Sequence, residues 1–236
     1  MTPANDMTNL PVLSLRVGAV APLGPKGVLS GIDKSEVSVP LQLSEAGFVG
    51  DMQGDTVRHG GPEKAVHHYP FDHYAFWIGE FGEQPILANP GAFGENIATL
   101  GLTEGEAAIG DVFRLGSAVI EISQGRQPCW KLNERFAQKD MARKVQETGR
   151  TGWYYRVIEP GTVVPGDHLS LLERRSPEWT LARIWSTFYV NTLDRSELTA
   201  IAGLSRLASG WRAHAAKRLE SGKVEDWTRR LQGIQG

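Results

Sequence analysis

The chain has 236 residues, of which 41% are hydrophobic and 22% charged, a composition that excludes wholesale disorder and fibrous architectures. Lys and Arg number 25 against 27 Asp and Glu, a net charge of −2, too balanced for a protein whose main partner is the nucleic-acid backbone. The single cysteine, Cys129, rules out intrachain disulfides and four-thiolate clusters, so electrons for any redox chemistry must come from another molecule.

Residues 1–11 have neither a basic start nor an apolar stretch and are expected to form a disordered leader. No apolar run approaches the ~18–20 residues that span a bilayer, which points to a cytoplasmic protein without membrane contact. Residues 12–17, 111–115, 118–122 and 168–172 are short apolar strand candidates punctuated by Gly and Pro. Val37, Val39, Leu41 and Leu43 alternate with polar residues and Pro40, predicting a half-buried strand with an edge or bulge at the proline. Two helices are expected to interrupt this pattern, one carrying Phe71, Tyr74, Ile78 and Phe81 on one face, the other carrying Leu132, Arg135, Phe136 and Lys139.

Near residue 171 the composition changes. Residues 1–170 hold 22 of the 27 Gly and 12 of the 13 Pro, with a charge of −6 (14 basic, 20 acidic); residues 171–236 carry +4 (11 basic, 7 acidic). The chain therefore divides into a mainly β, barrel-like domain over 12–172 and a three-helix module over 173–236. In the latter, Ser176-Pro177-Glu178 reads as a helix start before the stripe Leu181, Ile184, Trp185 and Phe188. Asp194 and Glu197 read as a capping pair, and a third helix from about Trp211 breaks near Gly222. Four of the seven Trp lie in this basic module. Core packing is the plainer explanation for them, against a stacking surface for nucleic acid.

The polar and glycine-rich segment 47–70 surrounds Asp51, Asp55 and His59 with glycines that permit close approach to a ligand. It reads equally as a series of turns capped by the Asp side chains. His67 and His68 are adjacent, so on a strand they face opposite ways, which argues against a shared zinc site. Cys129 lies between a strand end and a helix start with Arg126 and Lys131 nearby, a setting that favours the thiolate as nucleophile or soft metal ligand. The alternative is a small buried hydrophobe. Asn96 follows a glycine turn, where its amide could read a heterocycle edge or close an Asx turn, and Lys34 is a lone cation before a strand.

In order, Gly50-Asp51, His59-Gly60-Gly61-Pro62, His68-Tyr69-Pro70, Phe93-Gly94-Glu95-Asn96, Gly101-Leu102, Gly110-Asp111 and Arg126-Gln127-Pro128-Cys129, followed by Lys131-Leu132-Asn133, resemble the MOSC domain family. The resemblance is to its YiiM-like subgroup, which also carries a C-terminal three-helix module. It implies a barrel-like fold holding a molybdenum cofactor (a molybdopterin) with Cys129 as metal ligand, and calls for no pyridoxal phosphate. It also implies reductive deoxygenation of small N-hydroxylated substrates, such as hydroxylamino purines, with electrons from a separate reductase. His59 and Arg126 would flank the metal, Lys34 would contact the pterin phosphate, and His68 and Asn96 would add cofactor contacts. His67 falls where the subgroup varies.

A residue with the pKa of ordinary histidine suits His59 to proton donation, since reduction consumes protons. Two other readings use the same cysteine: a non-catalytic cofactor or sulfur carrier, and a hydrolase with a Cys129–His59 dyad. The helical module would serve as a docking face for an acidic electron donor, as a homodimer contact, or as a cover for the pocket mouth.

Overall fold

The computed structural model describes residues 9–54 and 60–233. The first described elements are β1 (Leu10–Pro11), whose pairing with His168 and Leu169 corrects the disorder expected there, and β2 (Ser14–Val17), followed by the hairpin β3 (Ala21–Leu23) and β4 (Val28–Ser30); residues 1–8 of the expected leader lie outside the described residues. The alternation around Pro40 does not make one strand. Proline cannot donate to a ladder, and the run is split into β5 (Ser35–Glu36) and β6 (Leu41–Ser44), the latter pairing with β7 (Gly47–Phe48). Next come β8 (Val66–His68), helix α1 (Tyr74–Phe81) and β9 (Ile97–Ala98).

The longer strands follow: β10 (Asp111–Leu115), β11 (Ala118–Gly125), β12 (Trp153–Glu159), β13 (Gly161–Val163) and β14 (His168–Arg174). Helices α2 (Lys131–Phe136) and α3 (Met141–Thr148) interrupt them between β11 and β12. A nine-stranded sheet runs in the order β1-β14-β10-β11-β12-β8-β9-β2-β5. Every pairing in it is antiparallel except β8 with β9.

β1 and β2 sit near opposite ends of that order yet are almost contiguous in sequence. Val12 N–H donates to the Asp167 carbonyl (2.9 Å) and Leu13 N–H to the Ala98 carbonyl (2.9 Å), so one extended segment pairs first with the β14 side and then with β9. This curls the sheet toward a barrel. Its interior is apolar, with Leu15, Val66, Ile97, Ile120, Ile122, Trp153, Tyr155 and Leu169 buried.

Four helices follow: α4 (Leu181–Tyr189), α5 (Arg195–Gly203), α6 (Ser209–Ser221) and the short α7 (Thr228–Gln232). The expected start of α4 at Ser176 is corrected by four residues. Thr180 is the cap, its hydroxyl accepting from Arg183 N–H (3.2 Å), while Ser176–Trp179 closes a turn. Asp194 caps α5 as its sequence suggests, accepting from Ser196 and Glu197 N–H at 2.9 and 3.0 Å. The helices do not own a separate core: Leu181, Ile184, Phe188, Leu198, Ile201 and Trp211 belong to the same buried cluster as the sheet interior. A second cluster, around Tyr69, Trp77, Phe93, Leu132 and Phe136, also takes in Leu231 of α7.

Among the described residues no helix is long and apolar enough to cross a membrane.

Candidate functional site: a cationic cavity opening on Cys129

The site starts from three loops brought together by close backbone approach. Gly31 packs so tightly on the 50–53 loop that a Cβ there would lie 1.8 Å from the Met52 carbonyl oxygen, so only glycine fits. That contact sets Lys34 against Asp51. Both side chains are almost fully buried and form an ion pair.

Asp51 is the hub. One carboxylate oxygen accepts from Gly18 N–H (2.8 Å) as well as Lys34; the other accepts from Asn96 Nδ2 (2.9 Å). Burial pulls the Lys34 pKa below its ordinary value, while Asp51 and Glu95 pull it back up.

The third loop, 91–96, is pinned by buried Glu95, which accepts from Tyr74 Oη (2.5 Å), Gly91 N–H (2.6 Å) and Phe93 N–H (3.0 Å). Asn96 then ties it to β8. Its Oδ1 accepts from His67 N–H (2.9 Å), and its Nδ2 also donates to the Arg16 carbonyl (3.0 Å). Asn96 lines the cavity, but both of its amide hydrogens are used by the protein, so its part is to fix Asp51 and His67.

The two adjacent histidines separate as strand geometry demands. His68, expected among the cofactor contacts, lies outside the cavity lining, and its position corrects that expectation. It is fully buried, bonded at Nδ1 to Tyr155 Oη (2.9 Å) and at Nε2 to Thr99 Oγ1 (3.0 Å), and burial drives its pKa down to about 3. His67, given no role by sequence, lines the cavity. Its ring lies 4.9 Å from the Tyr154 ring, and its buried Nε2 has no hydrogen-bond partner. Burial, then Arg126 and Lys34, push its pKa well below 6.5. It is therefore a neutral acceptor at neutral pH.

Arg126 follows the last residue of β11 and donates its N–H to the Gly152 carbonyl (3.0 Å). Its side chain is buried against the cavity, with Nη1 lacking a partner. Lys131 opens α2, is 8% exposed, and donates to the Leu29 carbonyl (3.1 Å). Among the described residues, these two with Lys34 and Lys64 make four cationic side chains that, with the carboxylate of Asp51, line an inner cavity of about 80 Å³.

Cys129 lines this cavity and is partly exposed. It also lines a second cleft of about 1000 Å³, together with Lys64, Gln127, Lys131 and Tyr154, which border both spaces. Trp211 and His214 of α6, the segment 225–227, and Arg229 and Arg230 of α7 form the C-terminal wall of that cleft. Thus Lys34, Asn96, Arg126 and Cys129 are brought together, and His59 lies outside the described residues. Sequence reasoning gave Asp51 a place in the ligand-approach segment but no role, and it assigned none to His67, Lys64 or Tyr154. For Asp51 the signal was its place in the glycine-rich segment; for His67 it was strand parity.

A cavity with a surplus of cations, two orphaned buried nitrogens and a thiol at its mouth is suited to an anionic ligand bearing hydrogen-bond donors and acceptors and a thiophilic centre. Among the described residues no three His, Cys, Asp or Glu cluster to hold a metal alone.

The family model for the MOSC domain matches residues 55–170, and that for the "YiiM-like, 3-alpha helix domain" matches 179–222. Protein YiiM of Escherichia coli (strain K12) is 42% identical over 209 residues, covering 89% of this chain and 93% of that protein. A protein named Reductase from Gibberella moniliformis is 38% identical over 179 residues, 73% of this chain and 31% of that longer protein. The crystal structure of YiiM from Escherichia coli superposes with a TM-score of 0.77 at 39% identity, covering 91% of this chain and all of that one. With that identity along nearly its whole length, and both family models matched in order, the chain belongs to the MOSC family in its YiiM-like group.

Proposed function

We propose that the protein holds a molybdenum cofactor and reduces N-hydroxylated compounds with electrons from a separate reductase. The observation that carries the reading is the position of Cys129, where the cation-lined inner cavity meets the larger cleft. The residues fit the group. Cys129 supplies a thiolate ligand, Lys34, Lys64, Arg126 and Lys131 offset the charge of a pterin phosphate, and the orphaned His67 Nε2 and Arg126 Nη1 supply an acceptor and a donor. The family match and the name of the fungal relative agree with redox chemistry.

When bound, the cofactor would supply two-electron reduction at a site open to the cleft. The net reaction breaks the N–O bond of a hydroxylamino group, takes up two electrons and two protons, and releases an amine and water. The chain's own work is to bind, orient and protonate. The cleft beside Cys129 has room for a substrate of base size, with Tyr154 and Trp211 as aromatic walls. His67 is an acceptor and not an acid, because its environment keeps the ring neutral. His59 remains the proposed proton donor. Its replacement by Ala is expected to lower turnover and change the pH profile, and full turnover with an unchanged profile would place the acid elsewhere.

The decisive test is cofactor content. Protein from a host competent in cofactor synthesis is expected to carry near-equimolar molybdenum and pterin, both lost in Cys129→Ser, and to consume a hydroxylamino purine when given a chemical reductant. Cofactor without consumption would favour the carrier reading, and absence of both metal and pterin beside a loaded control enzyme would reject the proposal.

A further inference from the structure

Both chain neighbours of Cys129 are held by one residue from the far C-terminus. Arg230 Nη1 donates to the Pro128 carbonyl (2.6 Å), and the Arg230 carbonyl accepts from Trp130 N–H (2.8 Å). The other guanidinium nitrogen, Nη2, bonds Gln146 Oε1 on α3, so the fork spans the cysteine loop and the helix behind it. One turn of α2 further on, Asn133 Nδ2 donates to the Leu231 carbonyl (2.8 Å).

The segment that delivers these groups is itself anchored at both ends. Leu231 is 3% exposed and belongs to the second apolar cluster with Leu132. Upstream, Arg218, 1% exposed on α6, makes a two-pronged ion pair with Glu225 (2.9 and 2.7 Å), and Glu225 accepts from Trp227 Nε1 (3.1 Å). Residues 223–233 lie beyond the matched helical family model, which ends at 222.

We propose that residues 225–233 form a clasp that sets the position of Cys129, with Arg230 as a positioning residue. The loop 126–130 bridges a strand and a helix. Its proline has no N–H to donate, so the Pro128 carbonyl and Trp130 N–H are the handles by which another part of the chain can fix the thiol's direction. Arg230 takes both. A planar fork holds its two acceptors at a fixed angle, which a lysine does not reproduce. The consequence for cofactor retention rests on the proposed function; the positioning itself does not.

The test reads the thiol directly. Full-length protein made without cofactor is alkylated with neutral iodoacetamide across pH 6–10, and the limiting rate at high pH, where the thiol is fully ionised, reports access to Cys129 independently of its pKa. Arg230→Ala is expected to raise that limiting rate about fivefold, the population shift that follows loss of a hydrogen bond holding a loop closed. Arg229→Ala, which removes the same charge from an exposed position in the same cleft wall, is expected to leave it unchanged.

An unchanged limiting rate in folded Arg230→Ala overturns the clasp, and so does an equal rise in Arg229→Ala. Should the alanine variant not fold, Arg230→Lys decides: it keeps the charge and loses the fork, a rise of about twofold is expected, and no rise overturns the proposal. In a cofactor-competent host, Arg230→Ala is further expected to retain less pterin than the parent. A faster thiol in protein that never carries cofactor would reject the proposed function and leave the clasp standing.

Discussion

Asp51 holds more of the site than any group that would touch a ligand, because Gly18, Lys34 and Asn96 all converge on its two oxygens. Asp51→Asn keeps the shape and removes the charge, leaving the Lys34 ammonium buried without its counter-ion. Breaking a buried pair from one side costs about 3–5 kcal/mol, a fall of roughly 6–20 °C in melting temperature for a chain of this size. The pH dependence has a definite sign. Lys34 already sits below its ordinary pKa in the fold, and loss of Asp51 lowers it further. Above that lowered value, and up to the parent's own folded value, the variant fold has released a proton that the parent fold still holds, so in that range the variant gains stability relative to the parent as pH rises. Thermal melts in steps from about pH 6 to about pH 10 should show the deficit narrowing, and a deficit constant across the series would disprove this account of the pair. The same residues mark what a sequence discloses at this scale. Asn96, Arg126 and Cys129 were legible as candidates from motif order, and Lys34 only as a lone cation before a strand to which the resemblance gives a role. The choice between His67 and His68 turned on which face of β8 meets the cavity, a matter of strand register settled by pairing with β12 at Trp153 and Tyr154. Asp51 as a hub was not legible, since its partners at 18, 34 and 96 are joined only by folding.

Several elements whose signals are local were read correctly, although the Ser176 helix start and the alternation around Pro40 were not, and elements that depend on tertiary support were missed. β10 begins and ends where its apolar run does, and the Asp194 cap and the Gly222 stop, with φ +63°, are written in single side chains. β12 was missed although Tyr154 lines both spaces: Trp153 and Tyr155 face the apolar core while Tyr154 between them faces the cavity and cleft, so bulky residues occupy both faces and the polar–apolar alternation is absent. α7 is too short to announce itself and stands on Leu231 and its bonds to the cysteine loop. The Arg218–Glu225 pair that leads into it carries a pH signature. Burial raises the Glu225 carboxyl, but the Arg218 guanidinium and its own backbone outweigh this and hold it at about 2 against an ordinary 4.5. The stabilisation is therefore complete above about pH 4.5 and fades as pH falls toward 2. With solvent screening of this half-open pair it amounts to about 1–2 kcal/mol. Amide exchange in residues 223–233 should accelerate across that window before the sheet opens. Glu225→Gln should make the segment labile already at pH 7 and remove the acid step; a parent protein whose C-terminal amides stay protected to pH 2 would exclude this role for the pair.

At the scale of the molecule, composition and charge divide the chain near residue 171 more sharply than packing does. The helices after β14 contribute Leu181, Ile184, Phe188, Leu198, Ile201 and Trp211 to the core that the sheet also fills, and they wall the cleft at Cys129. A module with its own sequence signature need not have its own stability, because cooperativity follows shared buried surface and not composition. Trp211 is the test. It is 5% exposed, meets Phe188 edge-on at 4.8 Å between ring centroids, and packs so near Gly125 at the end of β11 that a Cβ there would lie 3.7 Å from its ring. Trp211→Ala removes a large buried ring, at a cost of about 3–5 kcal/mol. If helices and sheet form one cooperative unit, exchange at Tyr155 in β12 and at Ile184 in α4 should speed up together, and melting should remain a single transition at lower temperature. Selective acceleration in α4–α6, with β12 unchanged, would instead show a helical unit that unfolds alone. The helical segment would then be removable without harm to the cysteine site, whereas a shared core makes its deletion costly to the site as well as to any partner it meets.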